Sequence, residues 1–250
     1  MTVEACAALV QRGDPDRFLA VMAAPPAARA PLFVLYAFNL EVARAPWVTA
    51  ESMIAEMRLQ WWRDAVAGER RAHEVAGPLH DLIHQAGLPV EVLDHLIAAR
   101  RWDCWHEPFE GAGALETYLE ETGGGLMWLA AKALGAPAGS EGAARDLGFA
   151  SGMANYLRAV PDLVARGRAP LPEGLAVEGL AKQGLDRLAR GRVGIAALGS
   201  GRAAALAAWQ AGPLLSQAQR DPAIVADGTI ALSEFARRAR LLWASVSGRL

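Results

Sequence analysis

Cysteine is nearly missing from this 250-residue chain, which holds only Cys6 and Cys104. Two thiols so far apart give neither a disulfide framework nor a paired zinc spacing, and such usage fits a reducing compartment. Lysine is as scarce, at 132 and 182 only, so arginine carries almost all the positive charge. Neither sign dominates: 25 basic residues stand against 27 acidic ones, which leaves no electrostatic footprint for nucleic acid. Long apolar runs are missing too. The uncharged stretch AAALAAWQAGPLL (203–215) is too short to span a bilayer and holds Gln210 and Pro213. Membrane contact of a peripheral kind stays open. The opening MTVEACAALVQRGD has no basic segment ahead of an apolar core, so no secretory leader is expected and the cytoplasm is the expected location.

Strand-type alternation is also lacking, and helical periodicity fills the chain instead. With 53% hydrophobic residues the chain can bury a large core. Asp14-Pro15 reads as an N-cap followed by proline at the first helical position. In the next helix Leu32, Leu35, Tyr36, Asn39 and Val42 share a face. A further helix, opened by Thr49 and Ser52, carries Met53, Met57 and Trp61 at four-residue spacing. Helical stretches follow near 75–86, 90–105, 114–134, 141–165, 175–190, 193–219 and 229–247, separated by short breaks rich in Gly and Pro. The linkers are too short to separate two cores, and no repeat appears. The expectation is one all-α domain over 1–250, a bundle of roughly eight to ten helices, with 248–250 frayed.

Three segments bear on chemistry. HDLIH (80–84) puts two imidazoles at i and i+4, near the zinc-protease pattern, but with Asp in place of the longer Glu. All five histidines, at 73, 80, 84, 95 and 106, lie in this part of the chain. An amphipathic helix is the expected role there, not a metal site. ETGGG (121–125) has helices on both sides and no Lys-Ser or Lys-Thr after it, which excludes a phosphate-cradling loop. A helix kink or close helix–helix approach is expected there. RLQWWRDA (58–65) combines Arg58, Gln60, Arg63 and Asp64 with two tryptophans that cannot face the same spot, since neighbours on a helix point about 100° apart. One tryptophan is expected inward beside Met57, and the polar residues suggest a buried network.

Taken in order, the segments DRFLA, PPAARAPLFVLYAFN, MRLQWWRDAVAG, LPVEVLDHLIAARRWD, LETYLEETGGGLMWLAAKALG and GFASGMANYLRAVPDLVARGRAPLP resemble the squalene/phytoene synthase family. The resemblance implies an isoprenoid-synthase-like helical bundle around a central cavity. In active members, two aspartate-rich motifs on facing helices hold magnesium, which joins two prenyl diphosphates head to head. Magnesium needs such oxygen ligands. Against that pattern this chain reads YAFNLEVARAPW, with Ala43 and Arg44 where the first aspartate pair would fall. The second motif keeps Asn155 and Arg158 but has Ala159 and Leu163 at the aspartate positions.

The variant pattern resembles a branch of the family associated with assembly of respiratory complex I (NADH:quinone oxidoreductase). The resemblance implies a non-catalytic bacterial relative, cytoplasmic or peripheral at the inner membrane, without catalytic residues, metal or cofactor. It would bind a complex I subunit or assembly intermediate, an isoprenoid lipid, or both. Tyr36, Asn39, Arg58, Gln60, Arg63, Asn155 and Arg158 are the candidate cavity residues. They would hydrogen-bond a polar ligand head or one another. Arg158, Asp162 and Arg166, four apart, are expected to form an ion-pair ladder. The alternative is an active prenyltransferase whose magnesium uses rearranged acids: Glu41, Asp64 or Asp162.

Overall fold

A computed structural model describes residues 3–105 and 107–250; Met1, Thr2 and His106 lie outside the described residues, and with them the start of the expected leaderless N-terminus and one of the five histidines. The first helices are Val3–Gly13 (α1), Pro15–Ala23 (α2), Pro26–Arg44 (α3) and Ser52–Ala67 (α4). Next come Ala76–Ala86 (α5), Val90–Ala99 (α6), Ala112–Leu119 (α7) and Gly125–Ala133 (α8). Glu141–Ala165 (α9), Val177–Gly194 (α10), Ala211–Arg220 (α11), Ala223–Ala226 (α12) and Glu234–Ser247 (α13) complete the set. Among the described residues there is no strand. The all-α expectation therefore stands, with finer segmentation than the periodicity suggested.

The extra segmentation has local causes. The stretch at 90–105 tightens into a 3-10 turn over Arg100–Cys104. The stretch at 114–134 is interrupted by a π-helical turn, Glu120–Gly124. The stretch at 193–219 runs as 3-10 helix from Ile195 to Ala208, bent where Gly199 adopts φ 55° and ψ −123°. Periodicity alone does not distinguish these windings, because all three keep side chains three to five residues apart on one face.

Two helices form the centre. α3 is buried on every side from Leu32 to Asn39, as expected of a helix apolar all round. α9 packs against α8, α10, α11 and the π-turn. Glycines allow that last approach: a Cβ on Gly148 would sit 2.3 Å from the Gly123 carbonyl oxygen and 2.5 Å from the Met127 Cβ. ETGGG is thus the close helix–helix contact that its composition suggested. The buried apolar side chains form one continuous cluster from Cys6 to Ala244.

α4 departs from the expected orientation. Trp62 turns inward, edge-on to Phe38 at 5.5 Å, but Met53 and Met57 are both 66% exposed. The four-residue spacing was real; it marks the outer face. Leu59 and Ala55 supply the inner one.

Candidate functional site

A cavity of about 600 Å³ opens between the start of α2, the end of α3, the π-turn, α9 and the start of α11. Each wall follows from local sequence. Asp14 caps α2, accepting from the Arg17 backbone N–H at 2.9 Å and from its guanidinium at 2.7 Å, and this turns Asp14, Asp16 and Arg17 toward the opening. On α3, Asn39 and Ala43 are one turn apart and both line it. On α9, Asn155, Arg158, Ala159, Asp162 and Arg166 lie at helical spacing on one face and form the opposite wall. The floor is a buried network in which the Tyr118 hydroxyl donates to Asp103 at 3.0 Å. Arg100 donates to both the Tyr118 oxygen at 2.6 Å and the Asp103 carboxylate at 3.3 Å.

Charge in the cavity is balanced by pairing. Asp16 accepts from Arg158 at 3.1 Å and from Arg237 of α13. Its partial burial raises its pKa, but hydrogen bonds from Gln210, Arg158 and Arg237 outweigh that and hold it below the ordinary value. Asp103, only 3% exposed, is pushed up by burial against the pull of Arg100 and Tyr118. Burial also raises the Tyr36 hydroxyl, to about 12. Two buried polar groups stand out. The amide oxygen of Asn39, a residue 4% exposed, has no hydrogen-bond partner among the described residues, and neither has Nη1 of Arg168. Buried oxygens are seldom left so, and Asn39 lines the cavity.

The donors present do not fit a magnesium–diphosphate centre. Ala43, Ala159 and Leu163 are cavity walls without oxygen ligands, and Asp14, Asp16 and Asp103 are each engaged by an arginine. Asp162 is the one cavity carboxylate without an ion-pair partner among the described residues. Magnesium bridged to phosphate uses one or two carboxylates, but the family pattern places them on two facing helices, and Asp162 supplies one, on α9 only.

The squalene/phytoene synthase model matches residues 10–192, which include every lining residue of the cavity except Ala207, Trp209, Gln210, Ala211 and Leu214. The chain belongs to the squalene/phytoene synthase family. Among curated relatives, a Drosophila melanogaster protein named NADH dehydrogenase (ubiquinone) complex I, assembly factor 6 homolog is 33% identical over 195 residues, 73% of this chain and 58% of its own length. The Bos taurus complex I assembly factor 6 is 28% identical over 74% of this chain and 59% of its own. The chain thus spans under three fifths of those two relatives. Of solved family folds, a dehydrosqualene synthase crystallised with ligand superposes at TM-score 0.82, with 18% identity, covering 98% of this chain and 95% of that one. Squalene synthase HpnC of Alicyclobacillus acidocaldarius superposes at 0.72, with 18% identity, over 87% and 93%.

Within this family fold the sequence-derived candidates separate. Asn39, Asn155 and Arg158 share the central cavity. Tyr36 lies beneath it, with the Arg17 guanidinium over its ring at 5.4 Å. Arg58 is elsewhere, with Glu41, in a surface hollow beside Trp61 and His73. Gln60 and Asp64 are bonded to each other at 2.8 Å on the exposed side of α4, and Arg63 forks onto Asp94 at 2.5 and 2.9 Å. The expected RLQWWRDA network is therefore a set of outer-face pairs, because α4 presents that face to solvent. Of the three alternative acids, only Asp162 reaches the cavity. The Arg158–Asp162–Arg166 ladder is also corrected: Arg158 bonds Asp16 and Arg166 stacks on Trp47 at 4.8 Å. Long-range partners displaced the local i,i+4 ones.

HDLIH holds its two imidazoles 3.2 Å apart, with Asp81 forked by Arg70. No group of three metal-binding side chains occurs among the described residues. Sequence reasoning missed Asp16, Arg17, Arg100, Asp103 and Tyr118. Asp14-Pro15 was legible as a cap, but nothing local signals that the next two residues face a cavity.

Proposed function

We propose that this chain is a non-catalytic member of its family that serves assembly of respiratory complex I and holds an isoprenoid lipid in the central cavity. The observation that carries this reading is the pairing of the cavity. Where prenyl-diphosphate chemistry needs free carboxylates on two facing helices, α3 and α9 offer Ala43, Ala159 and Leu163. Asp14, Asp16 and Asp103 are neutralised by arginines, which among the described residues leaves Asp162 as a single free acid on α9. Such a cavity can bind, but it lacks a cluster of anions for a metal. The names of the curated relatives support the process, and in this reading the partner is a complex I subunit or assembly intermediate. Among the described residues no helix is long and apolar enough to cross a membrane, so contact with the inner membrane in this reading is peripheral.

One paired experiment tests the proposal. Deleting the gene is expected to lower NADH-dependent quinone reduction and the amount of assembled complex I. The purified protein, given farnesyl or geranylgeranyl diphosphate with magnesium, is expected to release no diphosphate. Normal complex I in the deletion strain overturns the assembly role. Magnesium-dependent diphosphate release overturns the non-catalytic role in favour of a prenyltransferase with rearranged ligands.

A further inference from the structure

The sequence marked 229–247 only as helical; the structure turns its apolar residues outward. On α13, Phe235, Leu242, Trp243 and Val246 are 83%, 66%, 62% and 80% exposed, and Ala239 is exposed between them. Positions 235, 239, 242, 243 and 246 follow helical spacing, so they form one stripe covering about a quarter to a third of the circumference. The opposite side docks the helix. Ala244 is buried, Arg237 reaches Asp16, and Arg202 donates to the Gly248 carbonyl at 2.6 Å. Isolated exposed apolar residues need no explanation, but a continuous stripe with two large aromatics marks an interaction surface.

We infer that this stripe is a docking face for an anionic lipid bilayer. The charges on its margins select that occupant. Exposed Arg238 and Arg240 lie on its two sides. Arg240 has no ion-pair partner among the described residues, while Arg238 shares the single acid Glu234 with Arg237, so the margins carry a net positive charge. A second copy packed stripe to stripe would set these arginine margins against each other. A phospholipid surface offers the complement: acyl chains for Phe235 and Trp243, and phosphates for the arginines. The stripe also adjoins an apolar groove between α2 and α13, where Leu19 and Leu242 line a hollow of about 440 Å³. Trp209 lines both that groove and the central cavity, so docking would set the groove at the bilayer, next to the cavity wall.

The test is co-sedimentation of the purified full chain with vesicles of phosphatidylglycerol and phosphatidylcholine, or of phosphatidylcholine alone. The wild type is expected to sediment with anionic vesicles, and 0.5 M salt should weaken this. Reversing two arginines (Arg238→Glu with Arg240→Glu) is expected to weaken binding roughly tenfold or more, since each basic residue near the surface is worth about a fivefold change. Phe235→Ser with Trp243→Ser should do the same. All four side chains are exposed, and an unchanged melting curve checks that the variants fold. Failure of the wild type to sediment overturns the inference, as does undiminished binding by the Phe235/Trp243 variant. A wild type at twice the monomer mass by light scattering, reduced to monomer by that variant, would assign the stripe to a second copy instead. These readouts use purified protein and lipid, so they are independent of the complex I phenotype.

Discussion

Asn39 is where the sequence and the structure pull in different directions. Its neighbours from Leu32 to Phe38 are buried, and its own position is 4% exposed. An apolar residue would suit that place better than an amide whose oxygen meets no donor among the described residues. An unsatisfied buried polar group costs about 1–3 kcal/mol, so the amide weakens the ligand-free protein. Asn39→Leu, close to it in volume, is therefore expected to raise unfolding stability by about 1 kcal/mol in urea titration. The same change should weaken binding of any ligand that donates to the amide. A loss of stability would mean that the amide is already paired. Arg166 makes a related point. Its cation lies over Trp47, a partner 119 residues away that no helical spacing could indicate.

At the scale of elements, the crossing of the π-turn and α9 sets the depth of the cavity. The two backbones meet at Gly123, Gly148 and Gly152 with no side chain between them. Gly148→Ala would put a methyl group into the facing backbone, which a helix pair can relieve only by moving apart. Overpacking of this kind typically costs 1–3 kcal/mol, and the figure here is expected at about 3 kcal/mol or above because the obstacle is main chain. Gly142→Ala is the control: on the same helix its Cβ would meet nothing within 4 Å, and replacing glycine there should stabilise slightly. Chemical denaturation of both variants checks the pair. If Gly148→Ala unfolds like wild type, the close approach does not set the helix separation.

Across the whole molecule, Asp16 joins three distant parts of the chain: its own helix, Arg158 on the cavity wall and Arg237 on α13. Because its pKa is depressed in the fold from an ordinary 3.8, its contribution is complete above that value. It is lost as pH falls through the lower folded pKa. Asp16→Asn is expected to cost about 1–2 kcal/mol at pH 7, as for a partly buried, hydrogen-bonded carboxylate. The gap from wild type should shrink as pH drops below about 4. Thermal unfolding between pH 3 and 7 reads this directly. A gap that stays constant with pH would mean that the carboxylate charge is not what ties α13 down.

By itself, the sequence determined the helical class, the positions of the main helices, the glycine crossing and the two apolar positions on α9. These depend on neighbours three or four residues apart and on glycine's missing side chain, which are local properties. Family likeness was also legible, because six segments occur in order along the chain. Only the tertiary structure decided which face of each helix looks inward. Met53 and Met57 have the spacing of a core stripe yet lie outside, as do Phe235 and Trp243. It also decided which partner each charge takes. Arg158 could pair with Asp162 on its own helix, but Asp16 approaches it from α2. The physical reason is that an i,i+4 pair on an exposed helix is worth only a few tenths of a kcal/mol, too little to outweigh a partly buried partner brought in by the fold.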